Sequence, residues 1–378
     1  MGLLKSKKIA FSSNTSFSLY NFRYGLMKHF KDLGFEVYAI APKDEYAQDL
    51  EKEFKFIEIK HLNRKGTNPF KDLRLFLEYA RIFHSIKPDL VLSYTIKPNI
   101  YGSFACGIMG IKCISNVTGL GYVFMKENWL SKVVKQLYKS AFSFNKKIVF
   151  LNNSDLEIFL KYNIVSSKQI FMINGEGINT DYFSRSACKE YINDRLTFLL
   201  IARMLWDKGV GEFVKASEIV KRNHSNAEFW LLGPIDNDNP SAVSKSVIED
   251  WESKGLVKYL GSTKDVRPFI CKADVVVLPS YYREGIPRSL LEAMSMEKPI
   301  ITTNEPGCRD VCSSDINGLL VPAKDANALA QAMIKLIEMP KEQRVKMGCS
   351  SRQMILEKFD EKIIISKYYS LVREILNV

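Results

Sequence analysis

D-V-V-V-L-P-S-Y-Y-R-E-G-I-P-R-S-L-L-E-A-M, Asp274 to Met294, packs a strand, a loop and the start of a helix into one short stretch. Val275, Val276, Val277 and Leu278 form an unbroken apolar run, the pattern of a strand buried on both faces. Leu290, Leu291, Ala293 and Met294 then recur at helical spacing, and Pro287 falls where a first helical turn tolerates its missing N–H. Between them, Glu284 and Gly285 sit in a loop. The opening amides of such a helix lack intrahelical partners and carry the positive end of the helix dipole, so they suit an anion such as a phosphate. Two carboxylates bracket this end, Glu284 before the helix and Glu292 about two turns along it.

Outward from this stretch the same alternation repeats. Strand-like runs lie at Lys8–Ser12, Phe35–Ala41, Phe54–Ile59, Asp89–Tyr94, Lys112–Val117, Lys147–Leu151 and Gln169–Ile173, with helical patterns between them, notably Leu19–Leu33, Phe70–Ser85 and Trp129–Phe142. From Asn174 to Asp194 the pattern dissolves into Gly, Asn, Asp and Ser, a linker composition. It resumes with strands at Leu196–Ile201, Glu228–Leu232, Val257–Leu260, Asp274–Leu278 and Pro299–Thr302, then helices at Asn327–Met339, Lys341–Lys358 and Glu361–Leu376. Strands alternating with helices predict parallel sheets. A chain of 378 residues exceeds one ordinary core. The expectation is therefore an α/β protein of two Rossmann-like doubly wound domains facing a central cleft, residues 1–180 and 181–360, with a C-terminal helix at 361–378 packing back on the first. In such sheets ligands bind beyond the carboxyl ends of the strands.

Composition narrows the partners. Residues 1–180 hold 26 Lys and Arg against 15 Asp and Glu, a net of +11, whereas the remaining 28 against 27 give +1. The cationic half has three possible anionic partners, namely nucleic acid, a membrane surface or an acidic substrate. No nucleic-acid recognition motif accompanies the charge, which argues against the first. No run of about 18 apolar residues predicts a transmembrane helix, and Met1 to Lys8 has lysines without a following apolar stretch, unlike a secretory signal. Seven scattered cysteines read as free buried thiols in a reducing compartment.

After Leu196–Ile201 comes A-R-M-L-W-D-K-G, in which Arg203 and Lys208 occupy a strand-end loop and opening turn. A guanidinium fork beside a flexible ammonium suits a diphosphate. Their plain alternative is a pair of solvated surface cations. A hydrolase using Glu284 and Glu292 as paired carboxylates has no need for this Arg, Lys and helix start aimed at one anion. The four histidines fall away from strand ends, no P-loop is present, and Gly119-Leu120-Gly121 and Gly175-Glu176-Gly177 lack the third glycine of a dinucleotide fingerprint.

These residues carry a resemblance. E-G-I-P-R-S-L-L-E, Glu284 to Glu292, resembles the E-x-F-G-x-x-x-x-E element of retaining GT-B glycosyltransferases of family 4, with Ile286 near the usual aromatic. Arg203 to Lys208, followed by Gly209, resembles that family's R-x-x-x-x-K-G element. Further matches run along the chain at S-L-Y-N-F-R (Ser18 to Arg23), T-I-K-P-N-I-Y-G (Thr95 to Gly102), N-V-T-G-L-G-Y-V-F (Asn116 to Phe124) and L-P-S-Y-Y-R-E-G. Together they are similar to the bacterial N-acetylgalactosaminyltransferases that act on polyprenyl-diphosphate-linked sugars, in protein N-glycosylation or in capsule and O-antigen assembly. The resemblance implies a UDP-sugar donor, with Glu284 at the reacting face of the sugar, Arg203 and Lys208 on the diphosphate, Gly285 and Ile286 against the sugar and Glu292 on the ribose. It implies no cofactor, with Arg and Lys standing where such sites elsewhere use Mg²⁺.

The chain departs from the family in one respect. Several family-4 enzymes carry a histidine near the donor sugar in the first domain, and the loops Tyr94–Asn99 and Asn116–Phe124 have none. Asn116, Thr118 or Lys97 takes such contacts, while Arg23 and Lys97, in strand-end loops, and Asn116 and Thr118 are the candidate acceptor contacts. The acceptor implied is a polyprenyl-diphosphate-linked glycan, met by a peripheral enzyme on the cytoplasmic face of the inner membrane. Segment Lys126 to Lys147 has apolar residues at helical spacing with lysines elsewhere, which fits either an interfacial helix or an ordinary helix packed on its sheet. Two further readings stay open: a sugar-nucleotide epimerase on the same fold, and a noncatalytic glycan-binding relative.

Overall fold

The computed structural model describes residues 7–63, 66, 68–120, 124, 128–188, 195–237 and 239–378. Expectations resting on residues 1–6, 121–123, 125–127, 189–194 and 238 lie outside these. The chain divides into two compact units, Met1–Gly177 with Glu361–Val378, and Ile178–Asp360.

The first unit is built on seven parallel strands: β1 (Lys8–Ser12), β2 (Glu36–Ala41), β3 (Lys55–Glu58), β4 (Leu90–Tyr94), β5 (Lys112–Val117), β6 (Lys147–Phe150) and β7 (Ile170–Met172). They lie in the order β3-β2-β1-β4-β5-β6-β7. The chain winds outward from β1 in one direction, then returns to β4 on the other side, so the topological switch falls between β1 and β4. Side chains alternate along each strand and divide the core in two. Ile9 and Phe11 pack with helices Ser16–Asp32 and Glu361–Leu376, whereas Ala10 and Val91 pack with Pro69–Ile86 and Ser103–Met109. Local chemistry starts these helices: the Thr15 side chain accepts from Ser18 N ahead of Ser16–Asp32, and Asn68 caps Pro69–Ile86 with the proline in its first turn. The last helix places Ile364, Tyr368, Leu371, Val372 and Leu376 in the same core as β1.

The second unit has six parallel strands, β8 (Thr197–Ile201), β9 (Glu228–Leu232), β10 (Lys258–Tyr259), β11 (Val275–Leu278), β12 (Ile300–Thr303) and β13 (Gly318–Val321), in the order β10-β9-β8-β11-β12-β13. Its switch point lies between β8 and β11, which pair through Val275 with Phe198 and Val276 with Leu199. The stretch Asp274 to Met294 thus leaves the sheet at the position where a doubly wound fold binds its ligand. Strand β13 was not expected from the sequence, because G-L-L-V at an edge is short and carries no alternation.

The cysteines require a correction. Cys188 and Cys271 form a disulfide with Cα atoms 5.3 Å apart, across a sequence separation of 83. Folding sets the short turn Arg185–Ala187 beside helix Arg267–Lys272, a proximity that spacing in the chain does not announce. The other five thiols are free, four of them buried and Cys349 exposed.

Candidate active site

Beyond Ile201 the chain passes Arg203 and makes a single 3₁₀ turn, Trp206–Lys208, before Gly209 takes φ 75° and starts helix Val210–Lys221. A Cβ at Gly209 would lie 2.1 Å from the carbonyl oxygen of Pro279, so only glycine lets this turn seat against the loop after β11. The two loops are laced together at that point. The amides of Tyr281 and Tyr282 both donate to Asp207 O at 3.1 Å, and Ser280 Oγ lies 3.2 Å from the same carbonyl.

This lacing fixes Lys208 beside Glu284. The ammonium pairs with the Glu284 carboxylate, which also accepts from Ser280 Oγ at 2.9 Å, and the Tyr282 ring centroid lies 5.3 Å from Lys208 Nζ. Both partners are mostly buried. Behind them Gly307, at φ 82°, permits another close approach, since a Cβ there would lie 2.3 Å from Gly285 O. The neighbouring Cys308 thiol is pushed up to about 12, chiefly by burial and further by the Glu284 charge.

Arg203 reaches instead to Asp236, Nη1 to Oδ2 at 2.9 Å, on the loop after β9. Ile286 packs against the core formed by β8, β11 and helix Arg288–Ser295. That helix begins at Pro287 with no side-chain cap. Glu292 accepts from Arg288 Nε at 2.9 Å, one turn back. Burial raises its pKa above 4.5, with Arg288 opposing the shift. The structure therefore joins Lys208 and Glu284 directly, and gives Arg203 and Glu292 separate partners on the flanking loop and helix.

The acceptor candidates of the first unit are less accessible than the sequence implies. Arg23 lies inside helix Ser16–Asp32 rather than in a strand-end loop. Its guanidinium is buried, paired with Glu176 and stacked 4.2 Å from the Tyr94 ring centroid. Burial opposes its charge most strongly of any one influence, yet Glu176, Tyr94 and Tyr368 together outweigh it, so its pKa is raised. Asn116 is buried within β5, where it donates to Ser93 O at 2.9 Å and accepts from the Tyr368 hydroxyl at 2.6 Å. Both residues are internal braces. Lys97 pairs with Asp72 at 2.7 Å and is partly exposed, as is Thr118.

Several residues at the second switch point escaped the sequence reading. Asp236 and Ser280 hold Arg203 and Glu284, and both sit in strand-end loops, which is the signal that marks them. Asp265 accepts two bonds from the Arg267 guanidinium, at 2.9 and 2.8 Å, and a third from its amide, while the guanidinium stacks 3.6 Å from the Tyr182 ring centroid. This flat, polar-edged group after β10 is joined through Cys271 to the disulfide.

Comparison with known proteins shows the family. Residues 195–339 match the family model described as glycosyl transferases group 1, and residues 8–153 match that for glycosyl transferase 4-like proteins. The chain is 32% identical to the N,N'-diacetylbacillosaminyl-diphospho-undecaprenol alpha-1,3-N-acetylgalactosaminyltransferase of Campylobacter jejuni, over 98% of this chain and 99% of that one. A glycosyltransferase structure from Rickettsia africae is similar with a TM-score of 0.80 at 21% identity, covering 98% of this chain and 99% of that chain. Anabaena Alr3699/HepE in complex with UDP is similar with a TM-score of 0.77 at 14% identity, covering 98% and 100%.

Proposed function

Because the chain belongs to the glycosyltransferases of the group 1 and family-4-like type, with two doubly wound GT-B domains, we propose that it moves N-acetylgalactosamine from UDP-GalNAc to an undecaprenyl-diphosphate-linked sugar. The observation that carries this reading is the meeting of Lys208 and Glu284 at the β8/β11 switch point, beside an uncapped helix start. The UDP bound by a protein of the same fold supports the nucleotide, and the named acceptor of the Campylobacter jejuni relative supports the sugar and its lipid diphosphate. Nothing in these comparisons supports the epimerase reading.

The chemistry follows from charge. As the bond between sugar and diphosphate breaks, negative charge grows on the leaving group, and fixed cations stabilise that state more than the ground state. In the reading proposed here, the diphosphate displaces Glu284 from Lys208 and Asp236 from Arg203. Glu284 then turns to the sugar, against the backbone of Gly285 and Ile286, and Glu292 takes the ribose hydroxyls. Two cations and the helix amides do the work of a metal ion, so chelators leave the rate unchanged. The reaction retains anomeric configuration, with the acceptor attacking from the face the leaving group quits. In the first unit, Lys97 and Thr118 contact the acceptor, and Arg23 and Asn116 brace the strand ends beneath them. The enzyme works peripherally, at the cytoplasmic membrane face where its acceptor is held, in a bacterial glycan-assembly pathway such as N-glycosylation.

A donor screen tests this reading. UDP-GalNAc with a short polyprenyl-diphosphate monosaccharide gives a disaccharide product and UDP, and UDP-GalNAc alone is left intact. Conversion of the nucleotide sugar without acceptor would contradict the transferase reading.

A further inference from the structure

Helix Pro69–Ile86 has two apolar faces where one suffices to hold it. Leu75, Tyr79, Phe83 and Ile86 are buried against the sheet of the first unit. On the far side Phe70, Leu73 and Leu77 stand 79%, 55% and 52% exposed, spread over about 10 Å of helix axis. Large apolar side chains gathered in this way on a soluble surface mark an interaction site rather than ordinary scatter. Ile108, 73% exposed, lies on helix Ser103–Met109, which packs against this helix.

The charges around these residues have one sign. Lys71, Arg74 and Arg81 are exposed on this helix, Arg74 and Arg81 at spacings that flank the stripe, and make no ion pair among the described residues. Both acids of the helix are engaged elsewhere. Asp72 holds Lys97 at 2.7 Å. Glu78 accepts from the amides of Lys60 and His61 at 2.8 Å each and faces His61 Nδ1 at 3.0 Å. What remains outward is an apolar stripe bordered by cations. Helix Trp129–Phe142, the segment whose sequence first suggests an interfacial helix, buries Tyr138, Ala141 and Phe142 in the core with Val134 and Leu137 packed against them, and leaves Trp129 and Val133 exposed near its start.

We propose that the outer face of helix Pro69–Ile86 seats the first unit on an anionic bilayer, Phe70, Leu73 and Leu77 entering the headgroup–acyl boundary while Lys71, Arg74 and Arg81 meet the lipid phosphates. Apolar side chains on one helix face flanked by Lys and Arg are the composition of interfacial helices, and charge complementarity selects anionic lipid as the occupant. The inference rests on the reading of a lipid-linked acceptor. Such a face holds the enzyme at the surface where that acceptor lies.

Co-sedimentation of the full chain with vesicles of phosphatidylglycerol and phosphatidylcholine, against phosphatidylcholine alone, tests it. The unaltered protein binds the anionic vesicles, and binding weakens with salt. The triple substitution F70S, L73S, L77S lowers the partition more than tenfold. K71Q, R74Q, R81Q together lower it about a hundredfold and remove most of the salt dependence. In both variants, transfer to a short, water-soluble polyprenyl-diphosphate sugar stays within about twofold, which also certifies that they fold. Phe70→Trp gives a blue-shifted emission with anionic vesicles only. Undiminished vesicle binding by the apolar triple variant would overturn the proposal, as would a parent dimer that this variant turns into monomer, since the face would then belong to a second copy. Vesicle binding lost in the triple variant, with no transfer by the parent to any lipid acceptor, would strike the substrate reading and leave the docking face standing.

Discussion

The two switch points of this molecule share a topology and differ in what they do with positive charge. At the first, beside β4, Arg23 is 3% exposed and is clamped between Glu176 and Tyr94. At the second, Arg203 is 37% and Lys208 16% exposed, each held by a single carboxylate on a loop. The first arrangement is a brace, because a charge buried this deeply needs its partner in place permanently. The second is an exchangeable arrangement, because each cation meets one carboxylate on a strand-end loop, a partner that a ligand phosphate can replace in kind. A doubly wound sheet offers the same crevice in both units, and the depth of the cation decides which one is ready for an anionic ligand.

The largest effect expected from this contrast is on stability. Arg23→Ala strands Glu176 and should cost about 3 to 5 kcal/mol, read by urea unfolding. A loss no larger than that of Arg203→Ala, expected below about 1 kcal/mol, would erase the distinction. Next in size, Lys208→Ala should lower kcat about a hundredfold, about 3 kcal/mol, with a smaller stability loss than Arg23→Ala. Steady-state kinetics alongside thermal unfolding separates the two effects.

The third prediction divides the two carboxylates of the second switch point. Glu284→Gln should act mainly on turnover, whereas Glu292→Gln should raise the KM for donor about tenfold with kcat nearly unchanged; the reverse pattern would exchange their roles. The smallest effect is on pH dependence. Because the folded pKa of Glu292 lies above 4.5, the native state binds this proton more tightly than the unfolded chain. Its ionisation therefore withdraws stability as pH rises from below 4.5 through the raised value. Unfolding free energies of Glu292→Gln across that range should lack this decline, and parallel curves for the two proteins would refute it.

Legibility in the sequence follows the same division. The strands around both switch points could be read because central parallel strands are continuous apolar runs, and Arg203, Lys208 and Glu284 were legible because they directly follow such runs. Arg23 was not, since its burial depends on Glu176 and Tyr94, far away in the chain, and a helical arginine looks solvent-facing until those partners are in place. Asp236 pairs with Arg203 only through the fold of the loop after β9. The Cys188–Cys271 bond joins segments whose separation carries no motif. The outward face of helix Pro69–Ile86 was present in the spacing of Phe70, Leu73 and Leu77, but periodicity alone does not say which of two apolar stripes meets the core.

The central claim is that the β8/β11 switch point is a nucleotide-diphosphate site built on Arg203 and Lys208. Titration calorimetry of UDP against the parent protein and the double variant R203A, K208A addresses it most directly. Loss of two charge-assisted contacts predicts affinity at least a hundredfold weaker in the folded double variant. Equal affinity in the two proteins would contradict the account.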